Sequence, residues 1–473
     1  MAWEQYVREA AKTRLRCRTF AAFNCNIDVV IEVEQSDLDR IYEEEPKRTQ
    51  LVVTNPTEVS PAASEDHLLA ILQESAARGE SHYNVADLGL TEWIDRKFSV
   101  NRTEAGGEAA IIANQTAALG ADSRVYTSVL SPRQAEVFHR RVKFPVISAG
   151  RVQWIAAQQV ANDNWTKLNY IFEFRKGTTL RFGERKIFCP KAIQVILSTR
   201  DPRFSMAFDP QTERHLADIG SAVDVAFMAG YHHGRVVGRA ESLEEYLALS
   251  IDQLRALAQK NKALALHFQY VPMAMVSDER RLLAQLTPEF ASFSIDEQQL
   301  PHVLEACGFT AHAANLRWSN SPLRLYEGAR VLFEAWDLER FHLRMACGQM
   351  VLVKKPYSLT LENVRLACLY ASLVTLVRAR KGKATTASDV AKFSEQPVSA
   401  EGVQMLAQLL EQGRQHGFGF AADMQETGIA DCSGHGLVLV PMHVEPDPVS
   451  TVALGDSLSA TAYAAEISLR HKL

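Results

Sequence analysis

The stretch TVALGDSLSA, Thr451–Ala460, puts an aspartate late in the chain, directly after a glycine and directly before a small-residue run. STVAL is short, apolar and β-branched enough to end a strand, and Ser457–Leu469 has alanines with Leu, Tyr and Ile at helical spacing. A strand, a glycine turn and a helix leave the first-turn N–H groups without partners at the positive end of the peptide dipoles. Two roles fit Asp456 there. It can cap the helix by accepting from Ser459 or a neighbour. It can also be a general base that takes the proton of an attacking hydroxyl while those N–H groups hold a phosphate. In FNCNIDVV, the residues Asn24, Asn26 and Asp28 alternate at the end of an apolar strand and share a face. Amides and a carboxylate so placed suit vicinal hydroxyls, and a strand-end turn has the same composition. AGGEAAIIAN sets Gly106 and Gly107 ahead of an alanine-rich helix, where a glycine pair permits close approach of a ligand or simply close packing. Neither GxGxxG nor a P-loop occurs, which argues against a dinucleotide site and a P-loop nucleotidase.

These groups need elements to hold them. Helices are expected at Glu65–Arg78, Glu108–Leu119, Gln134–Arg141 and Glu241–Lys260, with strands at CRTFAAFN, MAFDP, DVAFMAG, ALALHFQYV and FSIDEQQL between them. Strands alternating with helices imply an α/β fold with a doubly wound, mostly parallel sheet covered by helices on both faces. WTKLNYIFEFRKGTTLRFGERKIFCP interrupts that rhythm with strand alternation and two turn signals. Residues 33–104 and 166–199 are read as a second, smaller, β-rich domain, and 1–32, 105–165 and 200–473 as the large domain. Lys381–Gln396 reads as a loop. Arg340, His342 and Arg344, beside Glu339, read as a solvated strand edge.

With 473 residues, 47% of them hydrophobic, the chain can bury a large core. A net charge of -5 without a long basic run argues against nucleic acid as partner. Seven cysteines without CxxC spacing suit reduced thiols, and no stretch has the length of a membrane span or signal core. A cytoplasmic protein, monomer or homodimer, is the expectation.

Taken in order along the chain, FNCNIDVVIEV, AGGEAAIIAN, VYTSVLSPRQAEVF, NYIFEFRKGT, RFSMAFDP, MAGYHH and LVPMHVEPDPVSTVALGDSLSATAYAAE resemble the ADP-dependent glucokinases and phosphofructokinases, members of the ribokinase-like superfamily. The resemblance implies a ribokinase-like α/β domain with a lid that closes over a sugar and excludes water. It implies transfer of the β-phosphoryl of ADP, with Mg2+, to a hydroxyl of a hexose or hexose phosphate, releasing AMP. In that reading Asp456 is the base, and Ala453, Leu454 and Gly455 form the anion hole. Asn24, Asn26, Asp28, Gly106 and Gly107 hold the acceptor, Val440 and Thr451 lie at the nucleotide, and Gln269, Asp296, Glu297 and Gln299 stand where metal-organising motifs belong.

The chain departs from the family pattern at several of these positions. Ala453 replaces the first glycine of GxGD, which a methyl group tolerates if φ stays negative. Gln269 and Gln299 replace two motif glutamates, lowering the charge offered to a hard cation, with Asp296 and Glu297 as partial substitutes. Ile193-Gln194 stands for an asparagine–arginine pair, and Asn169 for the histidine of the lid signature. Glu92 is the candidate for a lid carboxylate facing the acceptor. A catalytically weakened member that senses nucleotide or sugar is the alternative these departures leave open.

Overall fold

The computed structural model describes residues 2–45, 62, 64–199, 204–273, 276–450 and 452–470. An 11-stranded sheet runs Ile429–Asp431, His435–Pro441, Gly348–Lys354, Arg340–Arg344, Ser292–Asp296, Ala265–Gln269, Val225–Ala229, Arg18–Phe23, Asp122–Tyr126, Lys143–Ser148, Arg151–Ala156. From Arg340–Arg344 across to Lys143–Ser148 the neighbours are parallel, and antiparallel strands close both edges. The parallel strands read as unbroken apolar runs because both faces are covered: Val225–Ala229 is buried at every position. A second sheet of five strands runs His82–Ala86, Ile193–Thr199, Leu168–Phe174, Asn26–Glu32, Arg102–Gly106, with a separate hairpin of Thr179–Phe182 and Arg185–Phe188. It has its own apolar cluster, with Ile27, Leu72, Trp93, Phe172 and Val195 among its members. Trp93 packs edge-on against Phe98 there.

Local signals explain where the elements begin and end. Ser64 accepts from the His67 N–H and Gly79 closes the helix in the left-handed region at φ 65°, so Glu65–Arg78 has the bounds its caps dictate. The chain passes from the large sheet to the small one between Phe23 and Asn26. The division read from sequence carried the large unit through residue 32, whereas hydrogen bonding puts Asn26–Glu32 in the small sheet between Leu168–Phe174 and Arg102–Gly106.

Other expectations differ from the structure. Gln134–Arg141 is not one helix: Ser131 caps a turn over Pro132–Glu136 and it stops there. The segment read as a loop holds a short helix, Ala387–Ala391, fixed by a capping box of Thr386 and Asp389. Val452 and Ala453 form a turn, not a strand end, and the last helix starts at Leu454. Arg340–Arg344 is an interior strand, so Arg340, His342 and Arg344 are buried and no solvated edge exists there.

Candidate active site

Parallel order sends the C-terminal ends of the strands to one edge, which is where a doubly wound sheet binds ligands. Gln269 and Asp296 end their strands there, and Arg344 ends the next. The last helix, Leu454–Arg470, brings Asp456 to the same edge as its third residue. Asp456 is therefore inside the helix and is not its cap. Its Oδ1 accepts from Gln269 Nε2 at 2.8 Å, and Gln269 Oε1 in turn accepts from Ser459 Oγ at 2.7 Å. Burial pushes the Asp456 carboxyl above the usual range, while Arg344, the Gln269 hydrogen bond and Arg378 pull it back. Ala453, just before the helix, has φ 63°. The condition of a negative φ for a methyl group there is not met, and the alanine sits in the left-handed region at a strain of about 1–2 kcal/mol.

On the small-sheet side, Asn26 Nδ2 donates to Asp28 Oδ1 at 2.6 Å, and Asn169 Nδ2 reaches the same oxygen at 3.3 Å. Burial and the neighbouring Glu104 push Asp28 up to about 7, against the two amides and Lys167. The side-chain oxygens of Asn26 and Asn169 are buried without a partner. Gly106 and Gly107 have a packing reason: a Cβ on Gly106 would stand 2.1 Å from Asp28 Oδ1, and one on Gly107 would stand 2.5 Å from the Asn24 carbonyl oxygen. The glycine pair lets the Arg102–Gly106 strand and the helix after it close on the polar strand.

Glu108 joins the two sides, and sequence reading missed it. Its Oε2 accepts from Asn24 Nδ2 at 2.7 Å, and Lys167 donates to the Asn24 oxygen. Burial, then the Asp456 carboxylate, raise Glu108 to about 7. Its position immediately after the glycine pair, opening a helix, was the available signal. Glu104, in the small sheet, is paired in register with Asp28 and has Arg378 Nη2 4.0 Å away. Glu92 is exposed on the helix Leu90–Lys97 and takes no part.

A cavity of about 790 Å³ lies between strands of the small sheet and the segment leading to the last helix, lined by Glu173, Arg175, Gln194, Asp447 and Ser450. Gln194 donates to Glu173 at 3.0 Å, as does Arg102 at 3.2 Å. Val440 is fully buried in the core, paired in register with Gln349, so its side chain does not reach this space. Thr451 lies outside the described residues.

The residues expected to organise magnesium do not fit a bound divalent ion. Asp296 Oδ1 accepts the N–H groups of Gln298 and Gln299 at 3.0 and 2.8 Å, closing the turn after its strand. Glu297 Oε1 accepts from the Ala346 N–H at 3.1 Å, Gln299 Oε1 lies 3.4 Å from the Asp296 N–H, and Gln269 Oε1 is taken by Ser459. The Arg344 guanidinium stands among them, 3.8 Å from Asp296 Oδ2. A resident hard cation held by the protein alone needs several free oxygens, whereas Mg2+ otherwise keeps its waters and is shared with substrate phosphates. Among the described residues no group of three or more His, Cys, Asp or Glu is placed to hold a metal.

A carboxylate at the start of a helix, at the C-terminal edge of a parallel sheet and opposite the buried amides of Asn26 and Asn169, is an arrangement that suits a phosphotransferase of the sugar-kinase class. The conserved region of ADP-specific phosphofructokinase/glucokinase matches residues 17–465, and the chain belongs to that family. It is 26% identical to the ADP-specific phosphofructokinase of Methanosarcina acetivorans, over 98% of this chain and 97% of that one. It is 21% identical to the ADP-dependent glucose/glucosamine kinase of Pyrococcus furiosus, over 98% and 99%. A solved ADP-dependent kinase in complex with fructose-6-phosphate and ADPβS shares the fold with a TM-score of 0.84 and 24% identity, covering 100% of this chain and 99% of that one. No helix among the described residues is long and apolar enough to cross a membrane.

Proposed function

We propose that this chain transfers the β-phosphoryl group of ADP to a hydroxyl of a hexose or hexose phosphate and releases AMP, with Asp456 as general base. The observation that carries this reading is the partly buried Asp456 carboxylate, held by Gln269 and facing Glu108 and the Asn24–Asp28 strand. The acceptor hydroxyl gives its proton to Asp456 as its oxygen bonds to the β-phosphorus. The bond from that phosphorus to the bridging oxygen breaks, and AMP leaves with the electron pair. A carboxyl raised toward neutrality is a better base than an ordinary aspartate. The N–H groups of Ala453, just before the last helix, and of Leu454 and Gly455, which open it, meet the charge that builds on the phosphoryl oxygens. Asp28 and the unpartnered oxygens of Asn26 and Asn169 accept from sugar hydroxyls, and the cavity beside Gln194 takes the nucleotide.

Release of AMP from ADP, set beside release of ADP from ATP, tests the reading across glucose, glucosamine, fructose 6-phosphate, ribose and nucleosides. AMP formed only with one acceptor establishes the activity and names the substrate. Nucleotide binding without turnover on any of them removes the kinase reading and leaves a binding protein.

A further inference from the structure

Two arginines on one face of the Arg340–Arg344 strand are treated in opposite ways. Arg340 is fully buried and fully paired: Nε lies 2.9 and 3.1 Å from the two oxygens of Glu466, and Nη2 lies 2.7 Å from one of them. Arg344 is 9% exposed, yet its Nε is buried without a partner. Its ion pair among the described residues is the 3.8 Å approach to Asp296. The guanidinium lies over the start of the last helix, where a Cβ on Gly455 would stand 2.9 Å from Nη1. A buried guanidinium with an open donor is costly until an anion meets it. Its planar fork matches phosphate oxygens, and the neighbouring helix N-terminus favours the same charge.

We propose that Arg344 is a catalytic residue that grips the transferring phosphoryl group, supplying from the chain the positive charge that the motif positions Gln269 and Gln299 no longer recruit as a bound metal ion. The proposal rests on Asp456 being the base of an ADP-dependent kinase. Magnesium then enters with ADP as part of the substrate, and the protein's own fixed cation completes the neutralisation of the phosphoryl oxygens.

The test compares wild type, Arg344→Ala and Arg344→Lys by steady-state AMP release over a range of pH, with thermal midpoints as the check on folding. Arg344→Ala is expected to lower kcat about 100- to 1,000-fold at every pH, as removal of one such donor does. The sugar KM should stay within about twofold, and the thermal midpoint should hold or rise because an incompletely paired buried charge is gone. Arg344→Lys should recover only part, since it keeps charge without the fork, and added guanidinium should partly rescue the alanine variant. If Arg344 is only a counter-ion for Asp456, the alanine variant instead keeps its plateau kcat and moves the acid limb to higher pH, which overturns the proposal. Should wild type release no AMP, the kinase reading fails separately, and inorganic pyrophosphate decides about Arg344. A pyrophosphate-induced rise in the wild-type midpoint that vanishes in Arg344→Ala sustains the anion grip. An equal rise in both proteins, or none in either, refutes it.

Discussion

Gln269→Glu restores the carboxylate that the family motif carries, and the structure says it will harm the enzyme. Gln269 is 1% exposed and its amide nitrogen lies 2.8 Å from Asp456 Oδ1. A glutamate there keeps the Ser459 contact through one oxygen and presses the other against the Asp456 carboxylate. Two unit charges about 4 Å apart repel by about 4 kcal/mol at an effective dielectric of about 20. At about 1.4 kcal/mol per unit, that is an upward shift of about three pKa units for the pair, which then shares one proton. Since Asp456 is already raised, the base form disappears as pH falls through the still higher value. The acid limb of kcat/KM for the sugar moves up by about three pH units, activity at a fixed pH on that limb drops accordingly, and alkaline pH restores it. The assay is the pH profile of AMP release at fixed and at elevated magnesium. An unmoved acid limb, or activity that rises with magnesium above the wild-type level, would refute the reasoning, because the introduced carboxylate would then be serving a metal.

Three further outcomes follow from the same geometry. Ala453→Gly removes a side chain from a residue at φ 63° and should raise stability by about 1 kcal/mol, read as a higher denaturant midpoint with unchanged slope. Arg340→Met strands Glu466 at 0% exposure and should destabilise by about 3–5 kcal/mol, in contrast to Arg344→Ala. Asp28 is raised to about 7 from 3.8, so the folded protein binds a proton between those values that the unfolded chain does not. Stability of the free protein therefore falls as pH rises from about 4 to about 7, by at most about 4 kcal/mol from this group. Asp28→Asn should flatten that slope and raise the thermal midpoint at pH 8, while lowering kcat/KM for the sugar.

The alternating strands and helices were legible because the parallel strands, buried on both faces, are plain apolar runs, and because Ser64, Gly79 and Ser242 mark helix ends locally. For Asp456 and the Asn24–Asp28 face the local pattern left a helix cap and a strand-end turn open, and their roles came from the resemblance. What was not legible depends on contacts between distant segments. Glu108 matters through Asn24, 84 positions away, and Gln269 through Asp456, 187 away. Arg344 was misread because alternating charge is ordinarily solvated, and only the antiparallel neighbour Gly348–Lys354 turns that strand into an interior one. Asp296 reads as a metal ligand in a motif, yet its local use is to close the turn before the helix at Leu300.

Chemistry at Asp456 is the central claim, and Asp456→Asn tests it most directly. The amide keeps nearly the same shape, accepts no proton at neutral pH and removes one negative charge beside Glu108 and Arg344. The measurement is AMP formed in a single turnover by wild type and Asp456→Asn, each saturated with ADP, magnesium and the preferred sugar, with ADP binding followed by its thermal shift. The account predicts an unchanged ADP-induced shift and a rate at least about 1,000-fold lower in the variant. A variant that binds ADP and still turns over within about tenfold of wild type would contradict it, because the proton would then be leaving by another route.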